Sequence, residues 1–211
     1  MLRRSILLSM MSASILFAET GVGVNINEDD LEIEAVLDSR NLAAFQNTST
    51  ILQADVNFLN IEGDNQKAKL LGAGVGATNT LEGVRGVELT FGAKMIYSSI
   101  DTDYYDGTLH DATLYDGTFV ALPLMAKVRY NFPPLMFHIP PISLEGKVLY
   151  APGALSFGDA ETYSEFRFAA YIKMIPNVKI YAGYRNIHTE YVGEKDFTFN
   201  TGFYGGLKYI Y

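Results

Sequence analysis

Val178-Lys179-Ile180-Tyr181-Ala182-Gly183-Tyr184-Arg185-Asn186-Ile187-His188 places Val178, Ile180, Ala182 and Tyr184 on one side and Lys179, Tyr181, Gly183 and Arg185 on the other. A period of two is that of a β-strand, whose side chains point alternately to opposite faces. The stretch before it repeats the pattern, with Phe166, Phe168, Ala170, Ile172 and Met174 against Glu165, Arg167, Ala169, Tyr171 and Lys173. The C-terminal stretch sets Phe199, Phe203, Leu207, Tyr209 and Tyr211 against Asn200, Gly202, Tyr204, Gly206 and Lys208. One row is apolar and the other carries charge. Such strands separate two unlike media.

The same alternation runs through the rest of the chain. It predicts strands over Gly21–Asn27, Leu31–Asp38, Ile51–Asn60, Lys69–Ala77, Arg85–Tyr97, Phe119–Phe132 and Ile142–Tyr150. Lys69–Ala77 is the weak member, because Gly72, Gly74 and Gly76 occupy one face. With the three C-terminal segments the count is about ten, a size found among membrane barrels, with eight as the alternative. The fold expected is all-β: one closed antiparallel transmembrane β-barrel spanning 19–211.

Composition narrows the classes. The chain has 211 residues, 19% of them charged, with 19 Gly, 14 Tyr and 13 Phe. A net charge of −8 argues against binding nucleic acid through its phosphates. Cysteine is absent, which removes disulfides and thiolate zinc sites. Arg3 and Arg4, the apolar run Ile6–Phe17 and Ala18 read as a signal peptide over 1–18. No later run is long enough for a transmembrane helix, so any membrane crossing is made by strands.

Alternation alone does not say which face meets which medium, since a soluble lipocalin-like barrel also alternates with its apolar face inward. Three features favour lipid outside. Aromatic residues of the apolar row gather at strand ends: Tyr97, Tyr150 and Tyr184 at one side, and Tyr130, Phe132, Tyr209 and Tyr211 at the other. The middle of the apolar row is free of charge, as hydrocarbon requires. The chain ends on an aromatic residue, in the manner of the terminal signal read by the outer-membrane barrel assembly machinery. Connections also alternate in length, with long ones at Ser98–Gly117, Pro152–Thr162 and Ile187–Phe197 and tight ones at Asn79–Gly83 and Pro176-Asn177. Outer-membrane barrels alternate longer outward loops with short periplasmic turns. The expected setting is a Gram-negative outer membrane, with its lipid and lipopolysaccharide as partners.

Tyr150-Ala151-Pro152, the strand from Tyr163, and Ala182-Gly183-Tyr184-Arg185-Asn186-Ile187 resemble the C-terminal half of the YfaZ family of outer-membrane proteins. Gly92-Ala93-Lys94 through Tyr97 is similar as well, and the likeness runs from about Ile51 to the end. It implies a porin-like barrel and carries no active site. The Ser98–Gly117 loop and the Pro-rich link (Pro133, Pro134, Pro140, Pro141) depart from the family's compact pattern.

With lipid outside, the polar row lines a lumen. Its candidate lining is Glu32, Glu34, Asp55, Glu88, Lys94, Lys127, Arg129, Glu145, Lys147, Glu165, Arg167, Lys173, Arg185 and Lys208, joined by Gln53, Asn57 and Lys179. Early strands contribute acids and later ones bases, so two oppositely charged walls are expected. They would form either a narrow polar conduit or a plug of mutually neutralising ion pairs. Asp101-x-Asp103-x-x-Asp106-Gly107 approaches a calcium loop, but its third acid is one residue late and no glutamate closes it. His110, His138 and His188 show no nucleophile-and-base spacing. No catalytic residue, metal or cofactor is expected. The alternatives are an outer-membrane enzyme of lipid A deacylase, phospholipase or protease type, and a soluble periplasmic binder.

Overall fold

The computed structural model describes residues 21–39, 50–63, 66–105, 112–133, 140–191 and 195–210. The signal segment 1–18, His110, His138 and Tyr211 lie outside these residues. Within them the strands are β1 (Gly21–Ile26), β2 (Asp30–Asp38), β3 (Thr50–Gly63), β4 (Gln66–Thr80), β5 (Val87–Tyr105), β6 (Ala112–Ala121), β7 (Leu124–Asn131), β8 (Ile142–Ala151), β9 (Ser156–Gly158), β10 (Ala160–Ile175), β11 (Val178–Tyr191) and β12 (Lys195–Ile210). Neighbours pair antiparallel, and the ring closes where β1 meets β12 and β4 meets β5.

Ten staves make this ring. β6 and β7 are two halves of one stave, as the single alternating run Phe119–Phe132 predicts. Their register against β5 is unbroken, from Ile96↔Ala121 to Ala93↔Leu124. Pro123 lies between them, and a proline has no N–H to give to a ladder. Its carbonyl still accepts from the Lys94 amide at 2.9 Å, while the Leu122 amide turns to Leu155 O at 2.8 Å. The small strand β9 pairs with the end of β6 nearest Pro123.

The apolar rows form the outer wall. Leu124 is 62% exposed, Phe91 65% and Phe203 80%, with Val24, Ile33, Val56, Val75, Val148, Phe168 and Ile180 also exposed around the ring. On β5 this belt runs from Val87 to Tyr97, the length that crosses a bilayer in a tilted strand. The polar rows turn inward.

Beyond the belt, the staves continue and their faces exchange character. At the end remote from Gly21 and Ile210, the outer wall carries Glu62, Lys67, Lys69, Thr118, Ser164, Asn186, His188, Glu190, Thr198 and Thr201. The interior there is an apolar core of Leu59, Ile61, Leu70, Ile96, Ile100, Phe119, Leu149, Tyr163, Ile187, Tyr191 and Phe199. The ring of Phe119 lies 6.0 Å from those of Tyr163, Tyr191 and Phe199.

This exchange corrects the three expected long loops. Ser98–Gly117 is not a long loop, because β5 runs to Tyr105 and pairs with β6 down to Ala112. Ile187–Phe197 is mostly strand, and Pro152–Thr162 holds a 3-10 turn at Gly153–Leu155, β9 and the start of β10. The apolar-outside pattern ends there because the two rows exchange polarity, while the ladder continues. The expected alternation of long and short links therefore dissolves into strand. Phe199 does not belong to the outer row either: a register shift between Ile187 and His188, opposite Asn200 and Thr198, turns it inward, where it is 2% exposed. Asp101 and Asp103 sit in the extended backbone of β5, which is not the wrapped course of a calcium loop.

Candidate lumenal site

Below the apolar core the lumen is ionic. Glu32, Glu34, Asp55, Glu88, Lys94, Lys127, Arg129, Glu145, Lys147, Glu165, Arg167, Arg185 and Lys208 come together there through the inward parity of β2, β3, β5, β7, β8, β10, β11 and β12. Lys173 does not join them. It is exposed at the end of β10, where the pairing with β11 shifts register.

Glu32 is the hub. Both it and Arg185 have 0% side-chain exposure. Its Oε2 accepts from Arg167 Nη1 and Arg185 Nη1, each at 2.6 Å, and from Asn25 Nδ2 at 2.9 Å. Its Oε1 accepts from Asn57 Nδ2 at 2.6 Å. Arg167 Nε also donates to Glu165 Oε1 at 2.5 Å, and Glu165 Oε2 accepts from the Tyr163 hydroxyl at 2.8 Å. Arg185 Nη2 lies 2.7 Å from Asp30 Oδ1, and Asn200 Nδ2 donates to the other Asp30 oxygen at 2.5 Å. The Arg185 guanidinium stands 5.4 Å from the centre of the Tyr204 ring. Removing one member of such a buried set strands the others, at a cost of about 3–5 kcal/mol.

A second tier lies nearer the end carrying Gly21 and Ile210. Arg129 donates to Glu145 Oε2 through Nη2 at 2.5 Å and Nε at 2.9 Å, with Glu88 at 4.0 Å. Lys208 reaches Glu34 at 3.0 Å, Lys147 lies 3.4 Å from Glu165, and Lys94 pairs with Asp55. Lys127 donates to Gln53 at 2.8 Å. The open space among these groups is a cavity of about 80 Å³ that extends to Val36, Asp38, Lys179 and Ile210.

The glycine face of β4 makes this geometry possible. A Cβ on Gly74 would meet Asp55 Oδ1 at 2.7 Å, and one on Gly72 would meet Lys94 Cε at 2.5 Å. Lys94 and Asp55 thus meet across the part of this stave, Gly72 to Gly76, that carries no side chains on its inner face.

The walls are less segregated than chain order suggests. β1–β3 supply Asp30, Glu32, Glu34 and Asp55, but Glu88, Glu145 and Glu165 sit among the bases of β5–β10. Asp30, Asn25 and Tyr163 were absent from the sequence-derived lining. Asp30 had a signal, sharing the inward parity of Glu32. Tyr163 had none, since an inward tyrosine looks the same as one at an interface. Among the described residues, no group of three His, Asp or Glu is placed to hold a metal.

Compared by sequence with curated proteins, the chain has no match. By fold it is similar to LpxR from Salmonella typhimurium, at 8% identity and TM-score 0.43, covering 92% of this chain and 100% of that one. It is similar also to the outer membrane channel DcaP of Acinetobacter baumannii, at 11% identity and TM-score 0.38, covering 90% and 54%. The translocator domain of the autotransporter NalP from Neisseria meningitidis gives 11% identity and TM-score 0.42, covering 98% and 94%. The family likeness read from about Ile51 onward is narrower when tested by the family's sequence model, which leaves Gly92–Tyr97 outside the matched region. Residues 126–211, from β7 to the C-terminus, match the family described as YfaZ precursor, and this part of the barrel carries the YfaZ sequence pattern.

Proposed function

We propose that the protein is a small outer-membrane β-barrel, porin-like in build, whose lumen is closed to solutes. The observation that carries the reading is the apolar core around Phe119, Tyr163, Tyr191 and Phe199, which fills the interior at one end. A solute entering the ionic tier meets packed side chains, because protein interiors hold few voids larger than a water. Membrane insertion is supported by the outer belt, since monomeric soluble proteins rarely expose an apolar surface continuous around the molecule. A lipocalin-like binder would carry that belt inside. Closure of the ring leaves no strand edge in hydrocarbon.

The barrel is inserted by the barrel assembly machinery and sits among lipid and lipopolysaccharide. Its role is structural, without catalysis. Heat-modifiable gel mobility in detergent tests insertion, and planar-bilayer recording of the refolded protein tests closure. The expected record shows no conductance steps in the native chain and steps in a Phe119→Ala, Tyr191→Ala double variant. Steps from the native chain would replace this reading with that of a conducting pore. Hydrolysis of lipid or protein by the purified barrel would replace it with an enzyme.

A further inference from the structure

We propose that Lys127 and Gln53 frame a binding site for a small inorganic anion inside the lumenal cavity. The inference goes beyond closure of the barrel and does not depend on it. It begins with the partners of the lumenal cations. Lys94, Arg129, Lys147, Arg167, Arg185 and Lys208 each have a carboxylate within 4.0 Å. Lys127 differs. Its ammonium donates to the neutral Oε1 of Gln53 at 2.8 Å and has no carboxylate within ion-pair distance among the described residues.

An ammonium has three donors, and the amide takes one. A partly buried cation with no carboxylate in direct contact gains from a further negative charge beside it. The nearby carboxylates Asp55, Glu34 and Glu145 are engaged by Lys94, Lys208 and Arg129. The cavity is lined by six Lys and Arg side chains against five Asp and Glu side chains, one positive charge in excess. The floor supports the site as well. Gln53 pairs with Gly76, and Gly76 with Gly92, and the methyl end of Met125 covers these glycines, so an apolar floor bounds the space beside Gln53 and Lys127. The cavity of about 80 Å³ admits a halide or a small oxyanion and excludes a sugar or nucleotide.

Chloride-35 NMR of the refolded protein in detergent tests this directly, because chloride exchanging on and off a protein site broadens the bulk line. The native chain is expected to broaden the line several-fold over detergent alone, with gluconate holding ionic strength constant. Phosphate should reverse the broadening, and failure to do so would restrict the site to halide while leaving it in place. Lys127→Gln should return the line to background. Gln53→Glu is the sharper variant, since it keeps the cation and supplies a carboxylate of its own. It should also abolish broadening while retaining heat-modifiable mobility. Native broadening at background, or full broadening in folded Gln53→Glu, would overturn the site. The readout is binding, so it is independent of any current through the barrel.

Discussion

The two ends of this barrel obey the same period of two with opposite contents. Around the belt, Phe168, Ile180 and Leu124 face out while Arg167 and Lys127 face in. In the collar beyond it, Ser164, His188 and Lys69 face out while Tyr163, Ile187 and Leu70 face in. A strand does not record which side is the inside; it records only that the two sides differ. The medium is read from which row tolerates charge, and along β5, β10 and β11 that answer reverses within one continuous ladder.

Charge placed on the outer wall should separate the two regions most strongly. An arginine at the bilayer midplane costs about 2–4 kcal/mol, so Val128→Arg or Ala170→Arg is expected to prevent assembly. Ser164→Arg lies in the collar and should assemble normally. Heat-modifiable mobility after refolding reads both, and equal tolerance at all three positions would erase the boundary between belt and collar.

The interiors give the next largest contrast. Glu32→Ala leaves Arg167 and Arg185 buried beside each other and should lose about 3–5 kcal/mol in urea unfolding. Its loss should shrink when an anion from added salt takes the space that the missing carboxylate leaves between the two guanidiniums. Phe119→Ala leaves a cavity in the apolar core, with a loss of about 3–5 kcal/mol that salt leaves unchanged. Identical salt responses would mean that the two interiors are not physically distinct.

The smallest effect belongs to β4. Gly74→Ala puts a methyl group 2.7 Å from Asp55 Oδ1, and overpacking of this kind costs about 1–3 kcal/mol. Combining it with Asp55→Ala should recover most of that loss. Without recovery, contact with Asp55 is not the reason for glycine there.

How much of this was legible follows from the same contrast. The ten staves and their inward and outward rows could be read from residues such as Phe166, Arg167 and Phe168, because alternation inside the belt is strong. The strand ends could not. From Ser98 onward β5 continues as strand to Tyr105 through Ser98, Ser99, Asp101, Thr102 and Asp103, residues that in sequence look like a polar loop. Phe199 was misplaced because a bulge moves parity by one residue, and nothing local marks the bulge. The candidate lining was legible as a set, Lys173 apart, but its pairing was not. Glu32 and Arg185 are separated by 153 positions, and only ring closure brings them together. The glycines of β4 looked like weakness in a strand, and their reason lies on the neighbouring staves.

The polar collar also has a directional consequence. A cylinder apolar along its whole outer length could slide through a lipid film or settle in it either way up. This one is built like a bung: the apolar belt fixes how deep it seats, and the rim bearing Lys67, Glu190 and Thr198 is held back by its own hydration.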